Sequence, residues 1–131
     1  MNNALKFYIE GQWLEAESGE TLEVVDPSTE QAFIKIAVGN GEDVNKAVAA
    51  ARRAFPAFSL TSVGERLALL EEILRVYNLR YDDLVQAVSQ EMGAPLHFAR
   101  DAQVWSGRAH LDSTISALKS FTFSEQHGTT R

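Results

Sequence analysis

The sequence predicts an α+β segment, N-terminal β-hairpins and strands followed by about four helices. One observation is the spacing of apolar residues. Short aromatic and β-branched runs between Phe7 and Val38 give way to helical periodicity from Glu42 to Phe121. The other is punctuation, since glycine and proline turns break up the first part while helix-cap signals divide the rest.

The strands come first. Phe7-Tyr8-Ile9 and Trp13-Leu14 flank Glu10-Gly11-Gln12, the pattern of a tight hairpin in which Trp13 seals one end of the sheet. Ser18-Gly19-Glu20 marks another turn. Thr21 to Val25 reads as a strand that ends at Asp26-Pro27-Ser28-Thr29, because Pro27 has no N–H for a ladder. Phe33 to Val38 reads as the next strand, closed by Gly39-Asn40-Gly41.

Asn40 then caps a first helix, accepting from the N–H of Asp43, with the acidic Glu42 and Asp43 at the positive helix end. Val44, Ala47, Val48, Ala51 and Phe55 make one apolar stripe, and Pro56 stops or bends the helix. Its alanines would let it lie close against a sheet or another helix. Ser62-Val63-Gly64-Glu65 has capping-box spacing and opens a second helix with Leu67, Leu70, Ile73, Leu74 and Tyr77 inward. After a break near Asn78 to Asp82, a third helix turns Leu84, Val85, Val88 and Met92 inward. It closes on Gly93 in a left-handed cap, with Pro95 just beyond. A fourth helical stretch covers Leu96 to Phe121, with Ala99, Ala102, Trp105, Ala109, Ile115 and Leu118 as its less polar positions. Trp105, among small and polar neighbours, is expected to face a surface this chain does not contain. The polar end from Ser124 to Arg131 is expected to fray.

The length of 131 residues suits one domain, and a chain of this size can bury a real core. The charge of −6, with Lys and Arg scattered, argues against nucleic acid as a partner. No run approaches the roughly 18 apolar residues of a membrane span, and the N-terminus lacks signal-peptide features. There is no cysteine, so the chain carries neither a disulfide nor a thiolate nucleophile, which fits a cytoplasmic protein.

Several residue groups suggest chemistry and are better explained as structure. Gly39-Asn40-Gly41 resembles a phosphate loop, but the third glycine of the dinucleotide fingerprint is replaced by Val44, and two acidic residues would repel phosphate. His97 and Asp101 share a helix face and read as an ion pair. His110, Asp112 and Ser113 lie on one helix, where adjacent residues diverge by ~100° and cannot bond in series. Glu71-Glu72 and Asp82-Asp83 read as solvated faces that point apart.

Ordered motifs then identify a resemblance. Tyr8-Ile9-Glu10-Gly11-Gln12-Trp13, Ser18-Gly19-Glu20-Thr21 and Val24-Val25-Asp26-Pro27-Ser28-Thr29 follow the opening of aldehyde dehydrogenases in order and spacing. So do Glu42-Asp43-Val44, Ala47 to Arg52 and Ala54-Phe55-Pro56, then Gly64-Glu65-Arg66 and Gln90-Glu91-Met92-Gly93-Ala94-Pro95. Ala94 departs from the family, which often has lysine there. The resemblance runs from about Phe7 to Pro95.

The resemblance implies that residues 1–131 are the N-terminal part of the cofactor-binding, Rossmann-like domain of the α/β aldehyde dehydrogenase fold, with the catalytic domain absent. The parent would be an oligomeric, NAD- or NADP-dependent oxidoreductase that converts a small aldehyde to a carboxylic acid. In the family a cysteine thiolate attacks the aldehyde, an asparagine amide and a backbone N–H hold the oxyanion, and a glutamate activates water. Those residues and the cofactor site all fall beyond Arg131, so the chain alone is expected to be inactive and to bind no NAD or NADP. Its partner would be the rest of the dehydrogenase chain or a second copy. The rival expectation is a stand-alone oligomerisation or regulatory module derived from the same segment. The resemblance further implies a monovalent cation site built from the Val24 and Val25 carbonyls and the Glu91 carboxylate, hard oxygen donors suited to Na+ or K+.

Overall fold

Two residues with left-handed backbone build the first hairpin. In the computed structural model, which describes residues 3–129, Glu10 and Gly11 have φ of 53° and 78°, the signs a type I′ turn requires. They join β1 (Lys6–Ile9) to β2 (Gln12–Glu15) with Ile9 opposite Gln12 and Tyr8 opposite Trp13. Trp13 does not seal the sheet. It is half exposed and stacks obliquely on Tyr8, ring centroids 5.1 Å apart.

A second antiparallel hairpin pairs β3 (Thr21–Asp26) with β4 (Gln31–Ala37), and β4 starts two residues earlier than its apolar run. Its turn is organised by Asp26, whose carboxylate accepts from the Ser28 hydroxyl and N–H; both bonds hold the carboxyl below its ordinary range. Val24 pairs with Ile34 but Val25 with Ala32, so Phe33 is the extra residue of a β-bulge.

The helices are α1 (Gly41–Ser59), α2 (Val63–Leu79), α3 (Tyr81–Met92), the short α4 (Leu96–Phe98), a π-helical segment (Ala99–Val104) and α5 (Trp105–Ser120). Both anticipated N-caps form. Asn40 accepts from Glu42 and Asp43 while Asp43 reaches back to the Asn40 N–H, and Ser62 and Glu65 make the same reciprocal pair. Pro56 does not stop α1, which continues to Ser59. A proline one turn from the end forfeits a single ladder bond, and the residues after it still bond normally. Arg80 alone separates α2 from α3, and Gly93 closes α3 with φ 67°.

The chain divides into two compact units. One holds the two hairpins and α1, up to Thr61, with Ala87–Ala94; the other holds Ser62–Gln86 and the chain from Pro95 onward. All four buried apolar side chains among the described residues, Val85, Ala99, Val104 and Ile115, lie in the second unit. There Leu67, Leu70, Leu74 and Tyr77 of α2 are half-buried as their stripe anticipates, while Ile73 is exposed. In α3, Met92 is exposed rather than inward.

The first unit is organised differently. Its one buried residue among those described is charged: Asp43, 6% exposed. Its carboxylate accepts from the N–H of Asn40 at 3.0 Å and from that of Glu17, 26 residues away, at 3.2 Å. Nearby, the Ser18 hydroxyl donates to the Val38 carbonyl at 2.6 Å. Two ion pairs, Glu17 with Lys46 and Glu10 with Arg53, tie the hairpin side to α1 at positions two turns apart. The anticipated α1 stripe is left open, with Val44 59% and Phe55 67% exposed.

Two stability outcomes follow. Asp43→Ala removes the reciprocal arm of the capping box and unpairs two backbone donors, and should cost about 1–3 kcal/mol in urea unfolding. Glu65 has its carboxyl held below the ordinary range by the Ser62 N–H and then the Ser62 hydroxyl. A depressed folded-state value contributes stability that is present above the ordinary carboxylate range and is lost as pH falls through the depressed value. Glu65→Gln should therefore flatten that acid limb of the midpoint-versus-pH curve.

Candidate functional site

The predicted cation donors lie on two chain segments that meet. Gly93, after α3, has positive φ, and a Cβ there would come within 3.3 Å of the Pro27 ring and 3.7 Å of the Ser28 N. The turn that follows Glu91 therefore abuts the turn that follows Val24 and Val25. Val24 is half-buried; Val25 and Glu91 are exposed. Among the described residues β3 pairs only with β4, so one of its two edges has no ladder partner.

The start of α1 is closed to an anion. The space that a phosphate would need is occupied by the Asp43 carboxylate, which already satisfies Asn40 and Glu17. A shallow groove beside it is walled by Tyr8, Ile9, Ala47, Ala50 and Ala54. The groove is flanked by the Glu10–Arg53 pair, in which Arg53 holds the Glu10 carboxyl low by hydrogen bonding and charge. Its lining combines small apolar residues with the Tyr8 phenol and the Glu10–Arg53 ion pair, which leaves the Glu10 carboxylate already partnered.

The adjacent carboxylates point apart, as their helical spacing requires. Glu71 pairs with Lys119 and Glu72 with Arg75; Asp82 pairs with Arg100 and Asp83 with Arg80. His97, Asp101 and His110 are exposed, and Asp112 pairs with Arg108. Among the described residues no group of three or more His, Asp or Glu side chains could hold a metal.

A pair of tyrosines carries a role that the periodicity did not reveal. The Tyr77 hydroxyl donates to the Val104 carbonyl at 2.8 Å and the Tyr81 hydroxyl to the Arg100 carbonyl at 2.6 Å. Burial, and then Tyr81 beside it, raise the Tyr77 hydroxyl above the ordinary phenol value, so it stays a donor. The i, i+4 spacing of the two tyrosines was the available signal.

Comparisons with known proteins match this arrangement. The aldehyde dehydrogenase family model covers residues 13–129. A Staphylococcus saprophyticus protein that carries the aldehyde dehydrogenase name is 46% identical over 128 residues, which is 98% of this chain and 27% of that protein. The aldehyde dehydrogenase of Bartonella henselae superposes with a TM-score of 0.92 at 40% identity, over 96% of this chain and 26% of its own. Aldehyde dehydrogenase C of Pseudomonas syringae, solved as a mutant with NAD+ and octanal, gives 0.94 at 37% identity, over 97% and 26%. The chain thus spans about a quarter of the length of the relatives it matches. With ordered motifs, family model and fold in agreement, the chain belongs to the aldehyde dehydrogenase family.

Proposed function

We propose that this chain is the N-terminal part of the cofactor-binding domain of an NAD(P)-dependent dehydrogenase that oxidises a small aldehyde to its acid. In this reading it supplies packing surface rather than chemistry. The observation that carries the proposal is the open stripe on α1. Val44, Val48 and Phe55 are about half to two-thirds exposed, on a helix whose alanines suit close approach by another element. Covering the exposed half or more of each such side chain would contribute on the order of 1 kcal/mol, so the stripe favours a covered state. The cover is the remainder of the dehydrogenase, since the matched relatives are nearly four times longer.

The family's thiolate step needs a cysteine, and this chain has none. No NAD(P)H should therefore appear when the purified chain is mixed with NAD+ or NADP+ and a panel of aliphatic aldehydes. It should bind a hydrophobic dye and self-associate. Measurable NAD(P)H formation would overturn the packing role. A monodisperse dimer silent toward the dye would instead favour a stand-alone oligomerisation module.

Within the same reading, Val24, Val25 and Glu91 contribute part of a monovalent cation shell. The thermal midpoint should be higher in KCl than in tetramethylammonium chloride at equal ionic strength, by linkage of binding to folding. Glu91→Gln should erase the difference. Equal midpoints for the unaltered chain would sink the assignment.

A further inference from the structure

Two helical phases meet in the run from Leu96 to Ser120. At its upstream end the buried position is Ala99, with Ala102 and Gln103 half-buried. Continued at α-helical spacing, that stripe would pass through Ser106 to His110, Ser113 and Ala117, and the last three are exposed. Downstream, the covered stripe instead follows Val104, Gly107, Leu111, Ile115 and Leu118, with Ser106 and Ala109 half-buried at its margins. Traced back from Val104, this second stripe would reach Arg100 or Asp101 and then His97, all exposed. The two stripes are out of step by one residue. The π-helical segment Ala99–Val104 absorbs it, since its wider turn accommodates one extra residue.

Two hydroxyls grip that segment from the α2–α3 junction. Tyr81 donates to Arg100, second in the segment, and Tyr77 donates to Val104, its last residue. The rings meet edge to face, centroids 6.3 Å apart at 76°. Asp82 adds an ion pair to Arg100 at 2.8 Å. Gly107 makes room for the grip, because a Cβ there would lie 3.1 Å from the Tyr77 Cζ and closer still to its hydroxyl.

We infer that Tyr77 and Tyr81 form a clamp that holds the π register and thereby sets the outward direction of Trp105. Neither is a catalytic residue; both position the helix. Released from the clamp, the segment tightens to α geometry, and the helix beyond it turns by ~100° per residue of slip. That slip carries Trp105, now 56% exposed, toward the covered side and Val104, now 2% exposed, away from it.

The chain has two tryptophans, so Trp13→Phe leaves Trp105 as the sole indole emitter. In that background, Tyr77→Phe/Tyr81→Phe keeps both rings and removes both hydroxyls. The expected result is Trp105 emission at shorter wavelength with weaker acrylamide quenching and helical circular dichroism retained. Retained helicity with unchanged emission and quenching would overturn the clamp. If the double variant loses its helicity, deletion of Asp101 from it removes the extra residue. This should restore cooperative unfolding and long-wavelength Trp105 emission, and failure to restore them would equally overturn the clamp.

Discussion

The first unit depends on a single carboxylate. Asp43 is buried at the start of α1, where the helix presents unpaired N–H groups and a positive dipole end. One oxygen returns to the Asn40 N–H and the other takes the Glu17 N–H from the segment between the hairpins. Burying a charge is unfavourable unless it is hydrogen-bonded, and here each oxygen has a backbone donor. The same contact fixes where α1 begins and where the chain between the hairpins must pass. Ion pairs at Lys46 and Arg53 then set the direction of the helix along the hairpin side. All four partners are about half exposed, so each pair contributes little by itself.

The units use opposite strategies. In the second, apolar side chains from several helices are covered, and two tyrosine hydroxyl-to-carbonyl bonds, one of them part-buried, stitch the helices together. In the first, polar anchoring holds an apolar helix stripe open. A stripe of this kind is the face of an element made to meet another, which accords with a chain spanning 27% of its relatives' length.

Much of this was legible in the residues. Helix starts were readable because capping is local: Asn40 with Asp43 and Ser62 with Glu65 each act across three positions. The hairpin turns and the glycine cap at Gly93 were readable for the same reason, and ordered motifs carried the family. What periodicity missed was long-range or cumulative. It treated Asp43 as a cap alone, because its Glu17 partner is 26 residues away. It read Leu96 to Phe121 as one helical stretch, since a count at 3.6 residues per turn cannot register an inserted residue. It expected Pro56 to stop or bend α1, yet α1 runs on to Ser59, because a proline in the last turn removes only one ladder donor. The cation donors Val24, Val25 and Glu91 came from the resemblance; no spacing rule points to two backbone carbonyls.

The two-residue turn at Glu10-Gly11 has a consequence for the order of assembly. Tight turns and helix caps link residues close in sequence, so little loop-closure entropy is lost before they form. Such contacts arise on microsecond timescales, well before distant pairings. Glu17 with Asp43 then closes a loop of modest length and joins pieces already shaped. The segment can acquire its secondary structure early, with α1's stripe still uncovered. In that interval the open stripe is the surface a chaperone would meet.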